Sequence, residues 1–324
     1  MAIIQPKPFR PPLHHFNGHM QTILPSMFRK VSEVTYNRER LELEDGDFLD
    51  LDWSVKGSDK LLIISHGLEG SADRHYCLGM AKIFNQAGWD AMAWNFRSCS
   101  GEMNRLPRFY HSGETEDIRS IVKYVRSLKK YKQIGLVGFS MGGSITLNYL
   151  CEESDKLADE IIGAVAISVP VDIAGCSIEL EKKGKFFYNK NFYKQLNEKV
   201  KQKAQMIPEQ FSDAPLSQFD INSLRAFDTH FTAPLHGFES AESYYELASS
   251  LHKLSRIDRK ALILNATNDP FLHPTCFPVE DAKQNRFIDL EAPKLGGHVG
   301  FCISGEEATY AEIRTLEYLS QLTQ

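Results

Sequence analysis

Leu61-Leu62-Ile63-Ile64-Ser65 is apolar without a break, and similar runs recur at Asp90 to Phe96, Ile134 to Val137, Gly163 to Val171, Lys260 to Ala266 and Arg286 to Leu290. A strand with one face in water alternates polar and apolar residues, whereas a strand covered on both faces does not have to. Stretches of helical character lie between the runs: Arg74 to Ala87, and the series Ile118, Ile121, Val122, Val125 and Leu128, which follows a helix start around Ser112, Glu114 and Glu116. Strands in regular alternation with helices predict an α/β chain, with a mostly parallel sheet covered by helices on both faces. Ahead of it, Arg38 to Glu44 and Phe48 to Val55 flank Asp45-Gly46, a hairpin signal. The chain has 324 residues, of which 42% are apolar, enough to build a core for one large domain over 1–324.

One strand-to-helix junction stands apart. Ile134-Gly135-Leu136-Val137 runs into Gly138-Phe139-Ser140-Met141-Gly142-Gly143, and Ser144 to Leu150 then reads as a buried helix. A serine between glycines at such a junction sits on a strained turn that lifts its hydroxyl above the strand end. Small residues at 138 and 142 let neighbouring backbone pass where a Cβ would clash. A serine hydroxyl is a weak nucleophile, so the chain must also supply a base and a group to orient it.

Both partners are expected after Ser140 in chain order. Asp269 follows the Lys260 to Ala266 strand in Asn268-Asp269-Pro270, the loop position expected of an orienting acid. Asp172, just past Val171, is the alternative. His298 follows the last strand within Gly296-Gly297-His298-Val299-Gly300, which can aim an imidazole. His273 is too close to Asp269 in sequence, His230 and His236 precede the acid, and His66 reads as a loop-shaping residue. Two backbone N–H groups must stabilise the oxyanion; Met141 and Leu68 are the candidates.

Composition excludes several other classes. The formal net charge is −5 and the sequence pI near 6.1, so no overall basic field recruits nucleic acid. No segment approaches the roughly 20 apolar residues that span a bilayer, and no signal peptide opens the chain, so the expectation is a cytoplasmic protein without a membrane span. The six dispersed cysteines read as free thiols. Asp45, Asp47 and Asp50 cluster without the later ligands of a calcium loop, so no metal is expected. Residues 1–30, with five prolines, predict an extended arm that buries Phe9, Phe16, Met20, Ile23, Leu24 and Phe28. About 174–235, rich in Lys, Phe, Tyr and Gln and lacking a strand signal, predicts a helical cap inserted above the strand ends.

Several longer motifs add a resemblance. They are Phe9-Arg10-Pro11-Pro12, Gln21-Thr22-Ile23-Leu24-Pro25, His66-Gly67-Leu68-Glu69-Gly70-Ser71, Cys99-Ser100-Gly101-Glu102, Tyr110-His111-Ser112-Gly113-Glu114-Thr115-Glu116-Asp117, Thr232-Ala233-Pro234-Leu235-His236-Gly237-Phe238 and Gly296-Gly297-His298-Val299-Gly300-Phe301. In these the chain resembles the YheT-like branch of the α/β-hydrolases, which includes membrane-anchored lipases and yeast ethyl-ester-forming enzymes. The resemblance implies the α/β-hydrolase fold and hydrolysis of a small-molecule acyl ester by Ser140, Asp269 and His298, with no cofactor. Ser98, Met141, Ser144 and Asn268 depart from the usual residues and bear on substrate choice. Two alternatives stand beside ester hydrolysis: transfer of the acyl group to an alcohol, with Phe186, Phe187, Phe192 and Tyr193 excluding water, and a non-catalytic binding protein on the same scaffold. Arg97, Arg105 and Arg108 either bind an anionic head group or form ion pairs.

Overall fold

The computed structural model describes residues 2–182, 186–211 and 221–323, apart from the side chains of residues 2, 186–191 and 210. The strands are β1 (Ala2–Ile4), β2 (Asn37–Glu42), β3 (Phe48–Ser54), β4 (Lys60–Ser65), β5 (Asp90–Asn95), β6 (Gln133–Phe139), β7 (Ile161–Ile167), β8 (Ala261–Leu264) and β9 (Ile288–Glu291). They form one sheet in the order β1-β9-β8-β7-β6-β4-β5-β3-β2. Only β2 and β3 run against their neighbours; the pairs from β1 through β5 are parallel. The carboxyl ends of β4, β6, β7, β8 and β9 therefore emerge on one edge, with β6 at the centre.

Period-two side-chain alternation divides each apolar run between two core layers. Leu61 and Ile63 pack into the layer that holds Ile118, Ile121 and Val125 of α3 (Glu116–Ser127) and Ile145 and Leu150 of α4 (Met141–Glu153). Leu62 and Ile64 join Met80 and Phe84 of α2 (His75–Gln86), together with Tyr318 and Leu319 of the closing helix Tyr310–Gln321. α3 starts one turn later than the spacing predicts. Asn148 Nδ2 and the Tyr244 hydroxyl both hold Ser112, and Thr115 takes the N-cap position.

The N-terminal segment differs from the extended arm expected. β1 adds a strand to the sheet edge, and Gly18–Phe28 forms a helix, α1, capped by Asn17, whose side chain accepts the Met20 N–H. Pro25 lies inside α1, and a proline there costs the helix one hydrogen bond and biases a sequence reading against it. Phe9 stacks on Tyr310 as a buried side chain would, but Phe16 and Phe28 are 73% and 67% exposed. Between β7 and β8 the described elements are all helical, chiefly α5 (Ile173–Glu181), α6 (Phe186–Met206) and Ala241–Ala248. Of the expected cap, residues 183–185 and 212–220 lie outside the described residues, as do the side chains of Phe186 and Phe187. Among the described residues no helix is long and apolar enough to cross a membrane.

Candidate active site

Ser140 is the hinge between β6 and α4. Its φ of 53° and ψ of −119° place a non-glycine residue in strained backbone. The turn is fixed from outside and within: the Ser140 N–H donates to Ile167 C=O of β7 at 2.8 Å, and Ser140 C=O accepts from Gly143 N at 2.8 Å. Its glycines are sterically required, since a Cβ on Gly142 would lie 2.4 Å from the carbonyl oxygens of both Ser65 and His66.

The structure brings Ser140, His298 and Asp269 together. Ser140 Oγ lies 2.9 Å from His298 Nε2, and His298 Nδ1 lies 2.9 Å and 3.1 Å from the two carboxylate oxygens of Asp269. A carboxylate accepts only, so Nδ1 carries the ring proton and Nε2 accepts from the serine hydroxyl. The Asp269 side chain is fully buried, and its Oδ1 also accepts the Phe271 N–H at 2.8 Å. The Phe271 ring covers the imidazole with centroids 4.3 Å apart. Asp172 is elsewhere: it caps α5 by accepting the Gly175 N–H and accepts from Thr275 Oγ1.

Leu68 and Met141 line the same cavity as Ser140 and His298. Among the described residues neither backbone N–H has an acceptor, Met141 because it opens α4. Gly70 N donates to Gly67 C=O at 2.9 Å, closing a turn in which Glu69 holds φ at 51°. Glu69 is locked in turn: its Oε1 accepts from the Tyr110 hydroxyl at 2.5 Å and from Lys199 Nζ of α6 at 2.7 Å. His66 shapes this loop from beneath, donating from Nδ1 to Gly67 C=O at 2.7 Å and accepting the Phe96 N–H at Nε2 at 3.1 Å. Burial lowers its pKa to about 3, so it stays neutral.

The cavity above Ser140 has a volume of about 120 Å³ and is largely apolar, with Leu196 and Val200 of α6 and Phe227 among its walls. Asp228 enters it as well, holding hydrogen bonds from the Thr232 hydroxyl at 2.6 Å and the Tyr245 hydroxyl at 2.9 Å. Burial raises its pKa from 3.8 to about 6.

Arg97, Arg105 and Arg108 do not line the cavity but pair with carboxylates. Arg97 is 2% exposed and bonds Asp47 and Asp117, Arg105 bonds Glu42, and Arg108 bonds Asp45 and Glu116. Asp50 is held by Arg40, so guanidinium groups meet the whole acidic cluster. His111, Glu114 and His236 offer atoms within 4.8 Å of one another, a spacing compatible with a cation. Two contacts oppose that use: His111 Nδ1 accepts the Gly113 N–H, leaving the proton on Nε2, and Arg108 lies 3.6 Å from Glu114 Oε2.

Sequence reasoning missed the groups that brace the two loops, above all Gln21 and Thr22. The motif Gln21-Thr22-Ile23-Leu24-Pro25 marked that segment as part of the family resemblance, but nothing in local periodicity linked it to residues 268–300.

A model described as the alpha/beta hydrolase fold matches residues 60–301. The Escherichia coli (strain K12) protein YheT, provisionally named an esterase, is 34% identical over 292 residues, covering 88% of this chain and 84% of YheT. The phospholipase ABHD3 of Mus musculus is 30% identical over 291 residues, covering 87% of this chain and 70% of that protein. Among solved structures, the Pyrococcus furiosus esterase PF2001 matches with a TM-score of 0.58 at 19% identity, over 91% of this chain and 97% of its own, a likeness of fold. The chain belongs to the α/β-hydrolase family and, within it, to the YheT-like branch.

Proposed function

We propose that the protein is a serine hydrolase of carboxylic esters that works through an acyl-enzyme on Ser140. The observation that carries this is the unbroken contact from Ser140 Oγ to His298 Nε2 and from His298 Nδ1 to Asp269, on the floor of an apolar cavity. Ser140 Oγ attacks the ester carbonyl while His298 Nε2 takes its proton, and Asp269 stabilises the imidazolium. The negative charge that develops on the carbonyl oxygen is met by the N–H groups of Leu68 and Met141. The tetrahedral intermediate collapses as His298 returns the proton to the departing alcohol. Water then repeats the sequence on the acyl-enzyme, with His298 again taking and returning one proton, and releases the acid.

The confined, apolar cavity supports short- to medium-chain acyl groups, and the helices between β7 and β8 act as its cap. Ester hydrolysis of the esterase and lipase type is also the chemistry named for relatives of the chain. Ser140→Ala removes the nucleophile and leaves the fold, so turnover of p-nitrophenyl esters falls by about 10⁴-fold or more with unchanged circular dichroism. Turnover retained in that variant contradicts the proposal. Ethyl ester formed when ethanol is added would extend the reading to acyl transfer.

A further inference from the structure

Gln21 and Thr22 lie on α1, more than a hundred residues before the elbow, and no step above uses them. We infer that they are positioning residues that hold the acid and base loops in register, an inference that rests on the roles just given to Asp269 and His298. Gln21 is 2% exposed and reaches both loops with one oxygen. Its Oε1 accepts from Asn268 Nδ2 at 2.9 Å, beside Asp269, and from Gly296 N at 2.7 Å, two residues before His298. Its Nε2 donates to His15 C=O at 2.8 Å, which fixes the orientation of the amide. Thr22 Oγ1 accepts the N–H of His298 itself at 2.9 Å and donates to Gly18 C=O at 2.7 Å. Asn268 Oδ1 completes the bridge by accepting the Gly297 N–H at 3.0 Å.

The backbone is fitted to the same purpose. Pro25 has no N–H, so it cannot take the Gln21 carbonyl into the helix. Gly300 passes so close to this carbonyl that a Cβ there would lie 1.9 Å from its oxygen. The histidine loop also carries strain, with Val299 at φ 64° and Phe301 at φ 50°. Such conformations persist only when their surroundings over-determine them. Here the bracing comes from Gln21, Thr22 and the Ser168 hydroxyl, which accepts the Val299 N–H at 3.0 Å. Removing an acceptor orphans buried N–H groups, and the loop then shifts to satisfy them. A displacement of about 1 Å at a reacting group costs up to about 100-fold in rate.

The test compares Gln21→Met, Thr22→Val and Thr22→Ser with the wild-type chain, well below their melting temperatures. Gln21→Met should lower kcat about 10- to 100-fold and Thr22→Val about tenfold, with KM within about threefold, while Thr22→Ser stays within about threefold of wild type. Phosphonylation of Ser140 by a p-nitrophenyl phosphonate should slow in parallel, and the low-field proton signal of the His298–Asp269 hydrogen bond should weaken. A lower melting temperature with kcat and phosphonylation retained overturns the inference, as does a Thr22→Ser protein as impaired as Thr22→Val. Failure of both Gln21→Met and Thr22→Val to fold assigns the pair a purely structural role and overturns it too. A wild-type chain that is not phosphonylated at all refutes the hydrolase reading instead.

Discussion

Asp228 brings a carboxyl group to the wall of an apolar cavity, where only hydroxyls meet it among the contacts described. Its pKa rises from 3.8 to about 6 because burial disfavours the charged form. Between those values the folded chain holds a proton that the unfolded chain has released, so this group's contribution to stability falls as pH rises from about 4 to about 6. Asp228→Asn removes that loss. Relative to wild type the variant should gain up to about 3 kcal/mol at pH 7, the rise from 3.8 to about 6 converted at about 1.4 kcal/mol per pH unit, and nothing near pH 4. Denaturant unfolding at the two pH values checks this, and an equal difference at both contradicts it. Residues at this scale were unevenly legible. Ser140 announces itself through the glycines that its turn requires, and His298 and Asp269 through chain order. Asp172 shows the limit: from sequence it competes with Asp269, and only its contacts with Gly175 and Thr275 show that it is engaged elsewhere.

The elbow is an element-scale device, because the start of α4 passes the carboxyl end of β4 in a space too tight for any side chain at Gly142. Gly142→Ala should destabilise the protein by more than about 2 kcal/mol, since the new methyl meets backbone carbonyls that cannot turn away. It should also lower turnover by displacing Ser140. Thermal unfolding and p-nitrophenyl ester assays on the same preparation check both, and wild-type values would show that the strand and helix can part at little cost. Strands buried on both faces were legible where they carry unbroken apolar runs, as β4 and β7 do. α1 was not, because its proline argues against a helix while the contacts that favour one lie far away, on residues 268 and 296–300. The late start of α3 was equally hidden, being set by Tyr244 and Asn148 rather than by the residues of its own first turn.

At the scale of the whole molecule, the N-terminal and C-terminal segments are tied together. Arg29, just past α1, bonds both carboxylate oxygens of Glu312 in the closing helix, at 2.7 Å and 2.8 Å, and the Glu312 side chain is 2% exposed. Arg29→Met strands a buried carboxylate, and the expected loss is about 3–5 kcal/mol by denaturant unfolding. A loss below about 1 kcal/mol would mean that the ends are not coupled in this way. Sequence periodicity carries no sign of this pairing of residues 29 and 312, nor of α1 lying against the loop of His298. The sheet order follows from alternation and burial, but the bracing depends on which distant segments meet. The central claim remains that Ser140 is an activated nucleophile in a confined site. Treating the folded wild-type chain and Ser140→Ala with a fluorophosphonate, followed by peptide mapping, tests it most directly. One phosphonyl adduct on the peptide bearing Ser140 in wild type and none in the variant is the expected result; no adduct on Ser140 in folded wild-type protein would contradict the claim.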